Sequence, residues 1–169
     1  MTVGEYVRIV RDLGWDSTEL IEGVVYDVTP EYNRHADTVM DLLDELRYAF
    51  PDDVVRIVGS MHVSGISMFD PDVYVIDGSF ARDPDWAIPA VAVKLVVEVS
   101  VTTQAHDRGP KLIAYAKAGV PGVWLIDPRR GVGELVRHRD PEGASYATVE
   151  RFDVGENASG LDVAEILAR

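Results

Sequence analysis

The spacing of hydrophobic and polar positions predicts strands and helices in alternation, and the longest extended run contains a charge. In KLVVEVS, Glu98 interrupts an apolar run formed by Leu95, Val96, Val97 and Val99. Such a run is typical of a strand buried on both faces. A carboxylate in that position is costly unless it meets a cation or a metal. The alternative is that Glu98 points from the strand end into solvent or pairs with a lysine.

Two neighbouring patterns favour a chemical role for this carboxylate. PDVYVID, residues 71–77, is a second β-branched run, and it places Asp72 at the mouth of another strand. After Glu98, the spacing of Asp107, Lys111 and Tyr115 puts all three on one face of a helix. Two acids at neighbouring strand ends and a lysine suit a metal-dependent phosphodiesterase. The alternative is an ordinary salt-bridged helix face.

The remaining periodicity predicts a mixed α/β fold. A helical spacing over residues 1–14 ends near Gly14 and predicts a peripheral N-terminal helix, and ELIEGVVYDVT predicts a strand pair. The clearest helix spans residues 30–49. Its predicted apolar stripe consists of Ala36, Val39, Met40, Leu42, Leu43, Leu46 and Phe50.

The segment from Glu98 to Asp127 is long enough for a strand–helix–strand unit with two parallel strands. GELVRHRD and SYATVERF alternate apolar with polar residues and predict antiparallel strands. We therefore expect one central mixed β-sheet, with helices over residues 31–49 and 107–118 packed against it. Acids at neighbouring strand ends then meet at one edge of the sheet, where α/β sites usually form.

Composition narrows the possible classes of protein. The 169 residues suit one domain, and no apolar run reaches the length of a transmembrane helix, which predicts a soluble, cytoplasmic protein without membrane contact. The chain has no cysteine and its four histidines form no His-x-x-x-His pair, which argues against zinc chemistry.

The charge is acidic but uneven along the chain. A formal net charge of −13 argues against avid nucleic-acid binding, which needs basic surface. Residues 1–101 carry 7 basic and 19 acidic side chains, whereas residues 102–140 carry 7 basic and 4 acidic ones. The basic segment contains Lys111 and permits a local surface that faces phosphate.

The order of four motifs carries a resemblance to a known family. PDVYVID, LVVEVSVTT, DRGPK and YAKAGVPGVWLIDP follow one another as they do in the Uma-two family of restriction endonucleases. That family is part of the PD-(D/E)XK nuclease superfamily. The resemblance covers nearly the whole chain from about Glu19. It implies a restriction-endonuclease-like α/β fold over a single domain, residues 1–169.

The resemblance also implies roles for the three central residues. Asp72 matches the acid of the family's Pro-Asp motif, and Glu98 matches the acid of its Glu-x-x motif. The parent superfamily has a lysine two residues after that glutamate, but Ser100 stands there in this chain. Lys111 matches the helical lysine that replaces it in this family. Asp72, Glu98 and Lys111 are thus the expected catalytic residues.

Further residues are implied as metal ligands or supporting groups. Glu19 matches the acid of the family's Glu-Leu-Ile-x-Gly motif, an additional metal ligand, and the Val99 carbonyl is a ligand by resemblance. His35 matches a histidine near the start of the first long helix; touching phosphate or a metal-bound water is one interpretation, and capping or packing is the other.

Two functional hypotheses follow from these observations. The first is a Mg²⁺- or Mn²⁺-dependent DNA endonuclease that acts as a homodimer, as enzymes that cut both strands often do. In it, Asp107 and Tyr115 orient Lys111 or approach phosphate. The second is a catalytically inactive module of the same fold that acts in protein binding or regulation, which the acidic surface and Ser100 favour. Metal binding and dependence on Lys111 distinguish them.

Overall fold

A computed structural model describes residues 1–14, 17–28, 33–80, 87–100, 107–129, 133–153, 157–158 and 161–162, with backbone alone for 107–108, 157–158 and 161–162. The helices of this part are α1 (Val3–Leu13), α2 (Asn33–Ala49) and α3 (Leu112–Lys117), with a 3₁₀ turn at Ala90–Ala92 and a π-helical turn at Asp107–Lys111. None of the described helices is long and apolar enough to cross a bilayer.

Thirteen strands complete the regular structure of the described residues. They are β1 (Thr18–Ile21), β2 (Val24–Asp27), β3 (Val54–Ile57), β4 (Met61–Ser64), β5 (Ser67–Phe69), β6 (Val73–Ile76), β7 (Ile88–Pro89), β8 (Val93–Val99), β9 (Gly122–Asp127), β10 (Glu134–Glu142), β11 (Ser145–Asp153), β12 (Asn157–Ala158) and β13 (Leu161–Asp162).

The strands form two mixed sheets and one short strand pair. The first sheet has the order β2-β1-β5-β4-β7 and the second has the order β11-β10-β9-β8-β6-β3, while β12 pairs with β13. All pairs are antiparallel except β4 with β7 and β8 with β9. The parallel β8–β9 pair confirms the predicted crossover, and the mixed α/β fold is confirmed with it.

The sequence predicted a single central sheet, and this was wrong, because the structure contains the first sheet as well as the second. The two predicted strands on either side of Gly59 are β3 and β4, and they belong to different sheets. Val58 and Gly59, between them, both have positive φ angles, of 64° and 121°. This left-handed turn redirects the chain from one sheet to the other.

The main core fills the space between the sheets. Ile21 and Phe69 of the first sheet share a buried apolar cluster with Ile76 and Val96 of the second and with Tyr115 of α3. Because residues from both sheets are removed from water together, this cluster fixes how β1 lies relative to β8.

Helix α2 covers the other face of the second sheet. Leu42 and Leu46 pack on Val97 there, as the predicted apolar stripe requires. The prediction was wrong for Met40, which is 52% exposed, and for Ala36, which is also exposed. Both lie to one side of the stripe that faces the sheet.

Helix α1 covers the other face of the first sheet. Thr2 and Glu5 form a capping box, and Gly14 ends the helix with a φ of 68°. Val3 and Tyr6 are buried against Leu20 of β1. The predicted N-terminal helix is confirmed and is anchored to the sheet.

Candidate active site

The two acids at strand ends lie at the same end of one strand pair. β6 and β8 run antiparallel, with Val73 opposite Val97. β6 therefore begins where β8 ends, and Asp72 immediately precedes β6 while Glu98 is the penultimate residue of β8. Runs of apolar, β-branched residues favour both strands. The register of the two strands then brings the two carboxylates to one edge of the sheet.

Glu98 is 2% exposed and meets two side chains of the crossover. The Tyr115 hydroxyl donates a 2.6 Å hydrogen bond to its Oε1 atom, and Lys111 Nζ lies 3.5 Å from the same oxygen. Hydrogen bonds to an ionised acceptor are the stronger kind. Glu98 therefore does not point into solvent, and its alternative pairing with a lysine is the one observed.

Lys111 lies at the junction of the π-helical turn and α3. Pro110 in that turn has no backbone N–H, so it interrupts the hydrogen-bonding pattern just before Lys111. The four-residue spacing then places Lys111 and Tyr115 on the same face, as predicted. The alternative of an ordinary salt-bridged helix face does not describe these two, which are 7% and 0% exposed, because the salt-bridge partners of Lys111 lie on β1 and β8. The Asp107 side chain is outside the described residues.

Glu19 of β1 supplies the second carboxylate to Lys111. Its Oε2 atom lies 3.0 Å from Lys111 Nζ, and its Oε1 atom accepts a 3.2 Å hydrogen bond from the Asp70 amide. Burial raises the pKa of Glu19, while the Lys111 ammonium acts to lower it. We call Glu19, Glu98, Lys111 and Tyr115 the carboxylate–lysine cluster.

Asp72 forms a second group of contacts, which includes the residue that follows Glu98. Its Oδ2 atom accepts a 2.7 Å hydrogen bond from the Val99 amide, and its Oδ1 atom lies 2.9 Å from His35 Nε2. Since Val99 follows Glu98 directly, the two groups of contacts adjoin. The role of the Val99 carbonyl as a ligand stays a prediction.

The contact between His35 and Asp72 was not predicted, although the sequence contains a signal for it. His35 falls at the helical spacing of Val39, Leu42 and Leu46, the residues that face the second sheet. That register brings the first turn of α2 toward the strand end that bears Asp72. The interpretation of His35 as a capping or packing residue missed this partner.

Ser100 occupies the position where the parent superfamily has its lysine. It is 3% exposed, and its amide donates a 2.9 Å hydrogen bond to the Ile126 carbonyl of β9. Ser100 thus extends the pairing of β8 with β9. The ammonium that faces Glu98 comes instead from Lys111, the residue that the family resemblance implied.

The donor atoms of the site suit a hard divalent cation. Glu19, Glu98 and Asp72 present carboxylate oxygens, which Mg²⁺ and Mn²⁺ prefer. Among the residues that the structure describes, however, no group of three or more His, Asp or Glu side chains could hold a metal ion as arranged. Lys111 Nζ lies between Glu19 and Glu98, so a cation shared by these carboxylates requires the ammonium to shift.

Comparisons with known proteins identify the family of the chain. The model of the Uma2 family, described as "Putative restriction endonuclease", matches residues 3–167. The chain belongs to the Uma2 family. This is the family that the motif order predicted.

A solved structure supports the fold. The crystal structure of a "putative nuclease belonging to DUF820" from Anabaena variabilis matches with a TM-score of 0.75 and 17% identity, over 99% of this chain and 98% of that one. At this identity the likeness shows the fold alone, which is restriction-endonuclease-like. No curated protein matches the chain.

Proposed function

We propose that this Uma2 protein is a Mg²⁺- or Mn²⁺-dependent DNA endonuclease that hydrolyses phosphodiester bonds. The observation that carries the proposal is the buried Lys111 ammonium between the carboxylates of Glu19 and Glu98, beside the strand end that bears Asp72. Buried charges of this kind are expensive to maintain and are concentrated at functional sites.

Asp72, Glu98 and Glu19 would hold the metal, with the Val99 carbonyl as a further ligand. A bound divalent cation polarises a phosphate and lowers the pKa of a coordinated water. The residues of the chain supply orientation. The Tyr115 hydroxyl donates a hydrogen bond to one oxygen of Glu98, and the Val99 amide donates one to Asp72 Oδ2, while His35 Nε2 lies 2.9 Å from Asp72 Oδ1.

Lys111 would position the attacking water and stabilise the negative charge that develops on the phosphate. It is the last residue of the π-helical turn before α3, and its Nζ atom already lies 3.5 Å from Glu98 Oε1. In the absence of a cation, Lys111 instead neutralises the two glutamates. The same side chain thus serves two electrostatic roles.

DNA as the partner is consistent with local rather than overall charge. With a net charge of −13, long-range attraction to a polyanion is absent, so the basic segment 102–140 and the bound cation must supply the favourable electrostatics. We expect weak binding that declines with salt. We further propose that cleavage of both strands requires two copies of the chain.

A non-catalytic module is the second candidate. The observation that favours it is that Lys111 already satisfies Glu19 and Glu98, a state that needs no metal. In that case the cluster would hold the two sheets together, and the acidic surface would serve a protein partner.

Calorimetric titration of Mn²⁺ distinguishes the two candidates. We would titrate the wild type, Asp72→Asn and Glu98→Gln, with Asp44→Asn as the matched control because the Asp44 side chain is 85% exposed. Plasmid nicking would be measured on the same samples and on Lys111→Ala, with Lys117→Ala as its control.

The nuclease proposal predicts that the wild type and Asp44→Asn bind Mn²⁺ and nick DNA, whereas Asp72→Asn and Glu98→Gln lose both properties. Lys111→Ala should lose nicking and retain metal binding, and Lys117→Ala should retain both. Equal, weak binding by the wild type and both site variants, together with no nicking, would contradict the proposal and favour the non-catalytic module.

A further inference from the structure

An arginine on β3 has no carboxylate partner in the part of the chain that the structure describes. There, the partly buried Arg56 guanidinium forms neither an ion pair nor a hydrogen bond. Carboxylates are not scarce, since the chain has 29 acidic and 16 basic side chains. Other arginines do have such partners, namely Arg11 with Asp12, Arg47 with Asp44, Arg129 with Asp127, Arg139 with Glu150 and Arg151 with Glu134.

The register of the second sheet places Arg56 near the strand end that bears Asp72. Arg56 is directly opposite Tyr74 of β6, and Asp72 precedes Tyr74 by two residues. Two residues span about 7 Å of a strand, and neighbouring strands lie about 5 Å apart. Because β3 and β8 flank β6, Arg56 and Glu98 lie on opposite sides of the strand that Asp72 begins.

Arg56 is also on the same face of the second sheet as Glu98. Val54 packs on the cluster between the two sheets, whereas Val55 is buried on the other face. Arg56 therefore shares the face of Val54, since side chains alternate along a strand. Glu98 is on this face too, because it accepts a hydrogen bond from Tyr115 of the same cluster.

The Arg56 guanidinium extends toward the edge that bears the acids. A Cβ atom at Gly59, two residues beyond the end of β3, would lie 3.6 Å from Arg56 Nη2 and 3.1 Å from the Tyr74 hydroxyl oxygen. β3 ends where β6 begins, so this direction is the one toward Asp72. The Tyr74 hydroxyl donates a 3.2 Å hydrogen bond to the Gly59 carbonyl. The guanidinium thus retains donors for a ligand.

The chemistry of this position favours a phosphate. A guanidinium presents its donors in a planar fork that matches the oxygens of a phosphate. Burial raises the pKa of Tyr74, while the charge of Arg56 acts to lower it and that of Asp70 acts to raise it. Because Asp70 also repels anions, a phosphate here must be held by direct contact with the guanidinium.

We propose that Arg56 binds a backbone phosphate of the substrate strand that neighbours the phosphate to be cut. The contact lies across β6 from Glu98, so it fixes where the strand crosses this edge of the sheet. Phosphate contacts of this kind position a nucleic acid and do not read its sequence. The inference rests on the proposed nuclease function.

The test is fluorescence anisotropy of a short labelled DNA duplex over a series of NaCl concentrations. Ca²⁺ replaces Mn²⁺ as the oxygen-bound divalent cation, so that binding is measured apart from cleavage. Arg56→Gln removes the charge, and Arg56→Lys keeps the charge but loses the fork. Arg8→Gln is the matched control, because Arg8 is an exposed arginine of α1. Urea unfolding of each variant reports on the fold.

We expect Arg56→Gln to weaken binding of the duplex about tenfold at the lowest NaCl concentration. The slope of log K against log[NaCl] should become shallower by about 0.9, the effect of one phosphate contact. Arg56→Lys should keep the slope and lose less affinity, and Arg8→Gln should change neither. The urea midpoints of these variants should stay close to that of the wild type.

An unchanged salt slope for Arg56→Gln, an equal loss for Arg8→Gln, or no binding of the duplex by the wild type would overturn the inference. A loss of binding that accompanies a lower urea midpoint, and that Arg56→Lys does not restore, would also overturn it, because Arg56 would then act through the fold.

Plasmid nicking in Mn²⁺ separates failure of this inference from failure of the proposed function. Absent nicking by the wild type, together with duplex binding that depends on Arg56, would refute the nuclease and support the phosphate contact. Nicking by the wild type with a KM that Arg56→Gln leaves unchanged would support the nuclease and overturn the contact.

Discussion

Replacing Lys111 with methionine tests whether its ammonium holds two buried carboxylates in place. Lys111 is 7% exposed, and it lies 3.0 Å from Glu19 and 3.5 Å from Glu98. Methionine keeps much of the length and removes the charge. Removing one partner of a buried ion pair costs about 3–5 kcal/mol, because the remaining charge is left uncompensated. We expect a loss of that size in the free energy of unfolding near neutral pH.

The stability loss of Lys111→Met should be larger at neutral pH than at acidic pH. Burial already raises the pKa of Glu19, and loss of Lys111 removes an influence that lowers it. The folded-state pKa of Glu19 in Lys111→Met is thus further above its unfolded value, about 4.3 for a glutamate. The penalty is full above the folded-state pKa and declines as pH falls toward the unfolded value, because the folded variant then binds the extra proton.

Urea unfolding of the wild type and Lys111→Met, at neutral pH and near pH 5, is the assay. Lys117→Met is the matched control, since Lys117 is at the end of α3, the helix that follows Lys111 directly, pairs with Glu22 and is 48% exposed. An exposed pair is worth at most about 1 kcal/mol, with little change between these pH values. A loss for Lys111→Met no larger than that of the control, or equal at both pH values, would refute the reasoning.

Three other substitutions test separate contacts by urea unfolding. Tyr115→Phe removes the 2.6 Å hydrogen bond to Glu98 but keeps the ring, so we expect a loss of about 1.5–3 kcal/mol; no loss would contradict an ionised acceptor. Gly78→Ala places a Cβ atom 1.9 Å from the Asp52 carbonyl oxygen, so the backbone must move and we expect the free energy of unfolding to fall. A loss under about 1 kcal/mol would show that the turn relaxes freely. Thr2→Ala removes the capping box of α1 and should cost about 1 kcal/mol, and unchanged stability would show that α1 needs no cap.

Much of the second sheet could be predicted because its signals are local. The β-branched runs at Val73–Ile76 and Val93–Val99 form strands as expected, and the length of the following segment predicts the parallel return of β9. The four-residue spacing of Lys111 and Tyr115 depends only on helix geometry. These predictions needed no knowledge of distant residues.

The contacts that complete the site depend on long-range packing. Glu19 is on β1 of the first sheet, and nothing in ELIEGVVY states that its carboxylate meets a lysine of the crossover. Its role could be inferred only from the family resemblance. The pairing of His35 with Asp72 likewise depends on how α2 crosses the second sheet.

The carboxylate–lysine cluster joins the two sheets, and this links its chemistry to the assembly of the fold. Glu19 comes from the first sheet, Glu98 from the second, and Lys111 and Tyr115 from the crossover between β8 and β9. The apolar cluster that contains Ile21, Val96 and Tyr115 surrounds the same contacts and strengthens their electrostatics by excluding water. While both are ionised, the two glutamates repel each other unless a cation lies between them. Lys111 is that cation in the structure. Under the proposed function, a divalent metal that replaced it would neutralise the pair and leave the ammonium available for phosphate.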